Sequence, residues 1–66
     1  MKNKIEELRN LNDIKQEDFA RAMNVSRQTI SSLENGRYNP SIMLAFKIAK
    51  YFGKTIEEIF IFEEEK

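Results

Sequence analysis

Sixty-six residues make one small domain, near the size at which a chain needs staples, yet this one has no Cys and no His. Disulfides, thiolate metal sites and Cys- or His-based nucleophile pairs are excluded, and a zinc site would have to be built from carboxylates alone, so close packing, within the chain or against a partner subunit, is expected to hold the fold. Eleven Lys and Arg balance eleven Asp and Glu, but from Lys15 to Lys54 seven cations face three anions, and from Thr55 onward five anions face one cation. A basic middle and an acidic end suit a protein with one face toward phosphates and the other turned away. No apolar run approaches the ~18 residues of a membrane span, and the start lacks the apolar stretch of a signal peptide. The expectation is a cytoplasmic protein with no membrane partner.

Met1 to Lys4 is short and polar, able at most to add an extended edge. Ile5, Leu8 and Leu11 predict a first helix over about Lys4–Leu11, with Asn10, Asn12 and Asp13 marking its end. Ile14 restarts the apolar pattern. Phe19, Ala20 and Met23 share one face of a second helix, from about Gln16 to Met23. Lys15 stands at its N-cap and cannot accept an amide hydrogen bond; Glu17 and Asp18 suit the helix dipole, and Asp18 can partly replace the cap. Asn24 tolerates the left-handed conformation that ends a helix.

The stretch Val25–Gly36 predicts a third helix, capped by Ser26 and ended by Gly36. Ile30 and Leu33 form a narrow apolar seam, leaving Arg27, Gln28, Thr29, Ser31 and Ser32 outside it. Helix stability alone would favour other residues there. Short hydroxyls beside Arg and Gln instead allow close approach to a hydrogen-bonding surface, such as the base edges of a DNA major groove. In the loop that follows, Arg37 and Tyr38 are placed to touch whatever this helix touches.

Asn39-Pro40 reads as a cap and first-turn proline for a fourth helix, with Ser41 the alternative cap. That helix, about Ser41–Phe52, is the most apolar. Ile42, Ala45, Phe46, Ala49 and Phe52 make one stripe. Leu44, Ile48 and Tyr51 make a second, which a chain this small has little reason to bury. Gly53 ends the helix, and Thr55 with Glu58 forms a capping box for a short fifth, with Ile56, Ile59 and Phe60 inward. The run Ile59-Phe60-Ile61-Phe62 is β-prone and needs cover, either on its own subunit or against a second chain.

Gln16, the SRQTIS run, Glu34-Asn35-Gly36, Asn39-Pro40-Ser41 and the KIA run occur here in order. Together they resemble the Cro/cI-type (XRE) helix-turn-helix family, over Ile5 to Phe60. The resemblance implies an all-α, five-helix, lambda-repressor-like domain over residues 1–66, with the helix-turn-helix at about 16–35. A short C-terminal β-strand within 59–66 would help to form a homodimer. Base contacts are implied for Arg27, Gln28 and Ser32, with Thr29 and Ser31 near bases or phosphates. Gln16, Asn35, Arg37 and Tyr38 match phosphate-contacting positions, and Arg9 and Glu34 match a partly buried ion pair. Two positions depart from the pattern. Lys15 replaces the usual Ser or Thr, losing a cap and gaining a cationic phosphate contact. Asn24 replaces the commonest Gly.

The expected partners are operator double-stranded DNA and a second copy of the chain, acting as a transcriptional repressor where the operator overlaps a promoter. The dimer interface is expected at Leu44, Ile48, Tyr51, Ile59, Ile61 and Phe62. The alternatives are that Leu44, Ile48, Tyr51 and Phe62 belong to the monomer core, and that Arg9–Glu34 is a surface pair. No metal, cofactor or small-molecule ligand is expected, and neither is an enzyme: there is no Gly-rich phosphate loop. A protein-interaction or antitoxin-like module is the alternative function. It would call for an apolar or aromatic cluster on the third helix, which has none.

Overall fold

Short-range chemistry sets most of the element boundaries. The computed structural model describes residues 1–61, in the order β1 (Lys2–Asn3), α1 (Ile5–Leu11), α2 (Gln16–Met23), α3 (Arg27–Glu34), α4 (Ile42–Phe52), α5 (Ile56–Ile59) and β2 (Phe60–Ile61). Three N-caps are made by side chains. Ser26 Oγ accepts from the Thr29 amide at 3.1 Å, and Ser41 Oγ accepts from the Leu44 amide at 3.2 Å. At α5 the capping box is complete: Thr55 Oγ1 accepts from the Glu58 amide at 3.2 Å, and Glu58 Oε1 accepts from the Thr55 amide at 2.8 Å. Ser41, and not Asn39-Pro40, therefore starts α4.

Lys15 is extended and makes no side-chain cap bond. Asp18 does not replace it; its carboxylate pairs instead with Arg21 one turn on, at 3.2 Å. Asn24 ends α2 in the left-handed region, at φ 62°. The Met23 carbonyl at that end accepts from Lys47 Nζ of α4 at 2.8 Å, a cation placed on the negative pole of the helix. Gly36 is required twice over. Its φ is +78°, and a Cβ there would sit 3.3 Å from the Met1 carbonyl oxygen.

One contiguous core joins all five helices. Phe19, Ile5, Ile30, Leu33, Ile48 and Ile59 are fully buried, and Phe19 stacks on Phe52 at 5.3 Å and meets the ring of Tyr51 edge-on at 5.4 Å. Helix α4 faces a different way from the one expected. Leu44, Ala45, Ile48 and Ala49 are buried, with Phe52 packed beside them, while Ile42, Met43 and Phe46 lie exposed. The inward direction runs between the two sequence stripes. A helix apolar on nearly every side carries no periodic signal strong enough to orient it, so its neighbours decide. Leu44, Ile48 and Ile59 are thus covered by their own subunit and are removed from the expected dimer interface. Tyr51 and Ile61 remain partly open, Phe62 lies outside the described residues, and Leu11, at the end of α1, is exposed rather than inward.

The polar start of the chain does more than add an edge. β1 pairs antiparallel with β2, Lys2 opposite Ile61 and Asn3 opposite Phe60, and the Lys4 amide donates to the Ile59 carbonyl at 2.8 Å. Asn3 joins three elements at once. Its Oδ1 accepts from the Ile5 amide at 3.1 Å, and its Nδ2 donates to the Leu33 carbonyl at the end of α3, at 2.8 Å. Among the described residues no helix is long and apolar enough to cross a membrane.

A second tie reaches α3 from α1. Arg9 donates from Nε to Glu34 Oε2 at 2.8 Å and from Nη2 to Oε1 at 3.2 Å, a bidentate pair with both side chains buried. Its Nη1 donates to the Ile14 carbonyl at 2.8 Å, holding the α1–α2 turn. The hydrogen bond to Glu34 raises the Arg9 pKa above its ordinary value, so the guanidinium stays charged throughout. Removing one partner of such a pair leaves the other charge buried and costs about 3–5 kcal/mol, a large share of a small domain's stability. Arg9→Met is therefore expected to destabilise by about that amount in urea unfolding, and Arg9→Met with Glu34→Leu to recover most of it. Equal losses in the single and double variants would show that the buried charge is not the cause.

Glu58 titrates below the usual glutamate range, because its carboxylate accepts from the Thr55 amide and then from the Thr55 hydroxyl. A depressed carboxylate contributes stability above its unfolded pKa and loses it as pH falls through the folded one. Glu58→Ala should lower the melting temperature at pH 7. The gap from the parent chain should close as pH drops below about 4, and a gap that persisted in acid would rule out the charge as its source.

Candidate nucleic-acid interface

Ile30 and Leu33 fix the roll of α3 by entering the core, and that roll decides what the helix shows. Gln28 and Ser32, one turn apart, come to lie on the open side. With Ser26, Thr29, Arg37 and Tyr38 they line one shallow concave surface between α3 and the loop that follows it. The Thr29 hydroxyl is 2.9 Å from Ser26 Oγ, which ties it into the cap. Arg37 and Tyr38 reach this surface because the chain turns back at Gly36, where the Arg37 amide donates to the Ser32 carbonyl at 3.0 Å.

Arg27 and Gln16 form a neighbouring group on the α2 side. Arg27 Nε donates to Gln16 Oε1 at 3.4 Å, and Gln16 Nε2 donates to Glu34 Oε1 at 2.9 Å. A chain of side chains thus runs from Arg27 through Gln16 and Glu34 to Arg9. It fixes Gln16 across both helices of the turn, and it neutralises the one carboxylate of α3, which would otherwise repel a polyanion approaching that helix.

The remaining candidates are more scattered. Ser31 is half-buried, off the concave surface, and its carbonyl accepts from the Asn35 amide at 3.0 Å. Asn35 is exposed at the C-cap of α3. Lys15 sits over the α1–α2 turn, in a depression with Arg9, Asn10, Asp13 and Ile14. Two residues that position the site escaped the sequence reading. Asn3 holds the end of α3 and Lys47 holds the end of α2, both through long-range bonds to backbone that leave no local pattern. Among the described residues no group of acidic side chains could hold a metal ion.

Residues 5–59 match the family model described as helix-turn-helix. The chain is 54% identical over 66 residues to an HTH-type transcriptional regulator of Methanocaldococcus jannaschii, covering all of both chains. It is 45% identical over 65 residues to the HTH-type transcriptional regulator YgzD of Bacillus subtilis, covering 98% of each. Against the control protein C.MunI of a Mycoplasma species it is 39% identical over 59 residues, 88% of this chain and 80% of that one. In fold it superposes on a transcriptional regulator from Listeria innocua with a TM-score of 0.81 at 21% identity, spanning all of this chain and 65% of that one. The chain belongs to the Cro/cI-type (XRE) family of helix-turn-helix, DNA-binding transcriptional regulators.

Proposed function

We propose that this regulator works in the cytoplasm as a homodimeric repressor, each copy laying α3 in a major groove of a near-palindromic operator. One observation carries the reading. Gln28, Thr29, Ser32, Arg37 and Tyr38 share a single open surface on the side of α3 that the core leaves free. Gln28 pairs with adenine. Arg27 has Nε engaged by Gln16, which leaves both Nη nitrogens for guanine O6 and N7. Each such pair discriminates by about 1–3 kcal/mol against a wrong base. Arg37, Tyr38, Asn35, Gln16 and Lys15 contact phosphates, and Thr29 and Ser31 lie near bases or phosphates. Two copies sit ~34 Å apart on successive turns of the duplex.

Selection from random duplex DNA at a stated salt concentration tests this directly. It should return inverted half-sites one helical turn apart; half-sites in direct repeat would contradict the symmetric dimer. Gln28→Ala is expected to relax discrimination between operator variants more than it lowers affinity. Uniform weakening on every sequence would show that Gln28 does not read bases. Arg37→Ala should weaken all duplexes alike and reduce the slope of log affinity against log salt by about 1. A slope unchanged by the substitution would remove Arg37 from the phosphate contacts.

A further inference from the structure

The turn that leads into Arg37 and Tyr38 contains a chemically labile pair of residues. Asn35 alone among the asparagines precedes a glycine. The others precede Lys4, Leu11, Asp13, Val25 and Pro40, whose side chains crowd the backbone nitrogen or, at Pro40, leave it without a proton. Gly36 has no side chain to shield Asn35 from attack by its own nitrogen. Asn35 is exposed, and among the described residues its carboxamide makes no hydrogen bond. Replacing the glycine would not be tolerated, because φ is +78° there and a Cβ would sit 3.3 Å from the Met1 carbonyl oxygen.

We propose that Asn35–Gly36 is a self-modification site, where deamidation puts a negative charge into the DNA-facing turn and the start of the chain holds the reaction in check. The consequence for DNA rests on the operator reading above; the chemistry does not. The Gly36 nitrogen bonds to Asn35 Cγ, the side-chain nitrogen leaves as ammonia with the amide proton, and a succinimide ring closes. Water then opens the ring. Breaking the new bond gives aspartate. Breaking the original peptide bond gives isoaspartate, in which the chain continues through Cγ with an extra backbone carbon.

Either product is an anion at the C-cap of α3, on the negative pole of the helix and next to the turn that carries Arg37. The isoaspartyl form also lengthens the chain between Leu33 and Arg37, which displaces Arg37 and Tyr38 from the surface they share with Gln28 and Ser32. The closed fold opposes the reaction. Asn35 ψ is −7°, and the Gly36 N–H donates to the Leu33 carbonyl at 3.1 Å. Attack on Cγ needs ψ to turn far from that value and the nitrogen to lose its proton, so the bond to Leu33 must break first. The same carbonyl accepts from Asn3 Nδ2 at 2.8 Å, and the turn packs on Met1. Local release of these contacts sets the rate.

The test is prolonged incubation of the full chain at neutral pH, with peptide mapping by mass and an isoaspartyl methyltransferase assay to read the product. Conversion should be faster at Asn35 than at any other asparagine. Asn3→Ala should raise its rate roughly fivefold, the contribution of one hydrogen bond to keeping the turn closed. Urea below the unfolding transition, which leaves the core intact, should also raise it. Duplex titration reads the consequence. Affinity of the converted chain should fall roughly tenfold, and Asn35→Asp should match the aspartyl product, because the added anion offsets about one phosphate contact. Asn35→Gln, whose longer side chain closes a ring far more slowly, should keep its own starting affinity through the same incubation. A native chain that stays unconverted while the fully unfolded chain converts overturns the proposal. So does a rate that neither Asn3→Ala nor urea changes, or a converted chain that binds as tightly as the fresh one. A fresh chain that binds no duplex contradicts the operator reading instead, and mapping still decides the modification site.

Discussion

The buried pairing of Arg9 with Glu34 is the interaction on which the arrangement of the helix-turn-helix depends. Three helices meet at that carboxylate: α1 through the guanidinium, α2 through Gln16, and α3 through Glu34 itself. A two-helix unit joined by a short turn has little surface of its own with which to fix its crossing angle. Here the angle is set by directional bonds as well as by packing around Phe19. Because Glu34 accepts three hydrogen bonds, its charge is fully compensated, and α3 can face a polyanion without a repulsive group at its end.

The same end of α3 is held from the other side by the strap at the start of the chain. Asn3 bonds the Leu33 carbonyl, and the turn at Gly36 packs against the backbone of Met1. The loop carrying Arg37 and Tyr38 therefore leaves α3 from a fixed point. For the proposed recognition this matters more than the strength of any one contact, since side chains that would meet bases and phosphates together need a rigid support. The exposed apolar face of α4, with Ile42, Met43 and Phe46, lies just beyond that loop, so it and the proposed DNA surface are neighbours on one stretch of chain.

What could be read from the sequence was what local chemistry controls. The bounds of α2, the Ser26 cap, the left-handed Asn24 and the Thr55–Glu58 box each follow from a few adjacent residues and are found as expected. The direction of α4 was hidden because its apolar residues cover nearly the whole helix, so Leu44 and Ile48 looked spare while Ile42 and Phe46 looked buried. Asn3 and Lys47 could not be read at all: their partners are backbone carbonyls 30 and 24 residues away, which no spacing rule connects. Arg9 and Glu34 are equally distant in sequence, and only the family resemblance paired them. The polar side of α3 was legible from the Ile30–Leu33 seam. Its division into one group with Arg37 and Tyr38 and another with Gln16 needed the three-dimensional turn at Gly36.

The pairing of β1 with β2 has a kinetic consequence. Lys2 opposite Ile61 closes almost the entire described chain into one loop, and closing a long loop costs entropy that short helical contacts do not incur. Helices made of local contacts form more readily, so this two-residue ladder is expected to assemble late and to open early. Each opening frees the Leu33 carbonyl from Asn3 and loosens the exit of α3. Fraying between Lys2–Asn3 and Phe60–Ile61 would thus bear on the end of α3, and amide exchange at Lys4 would report it before any change reached Phe19 or Ile30.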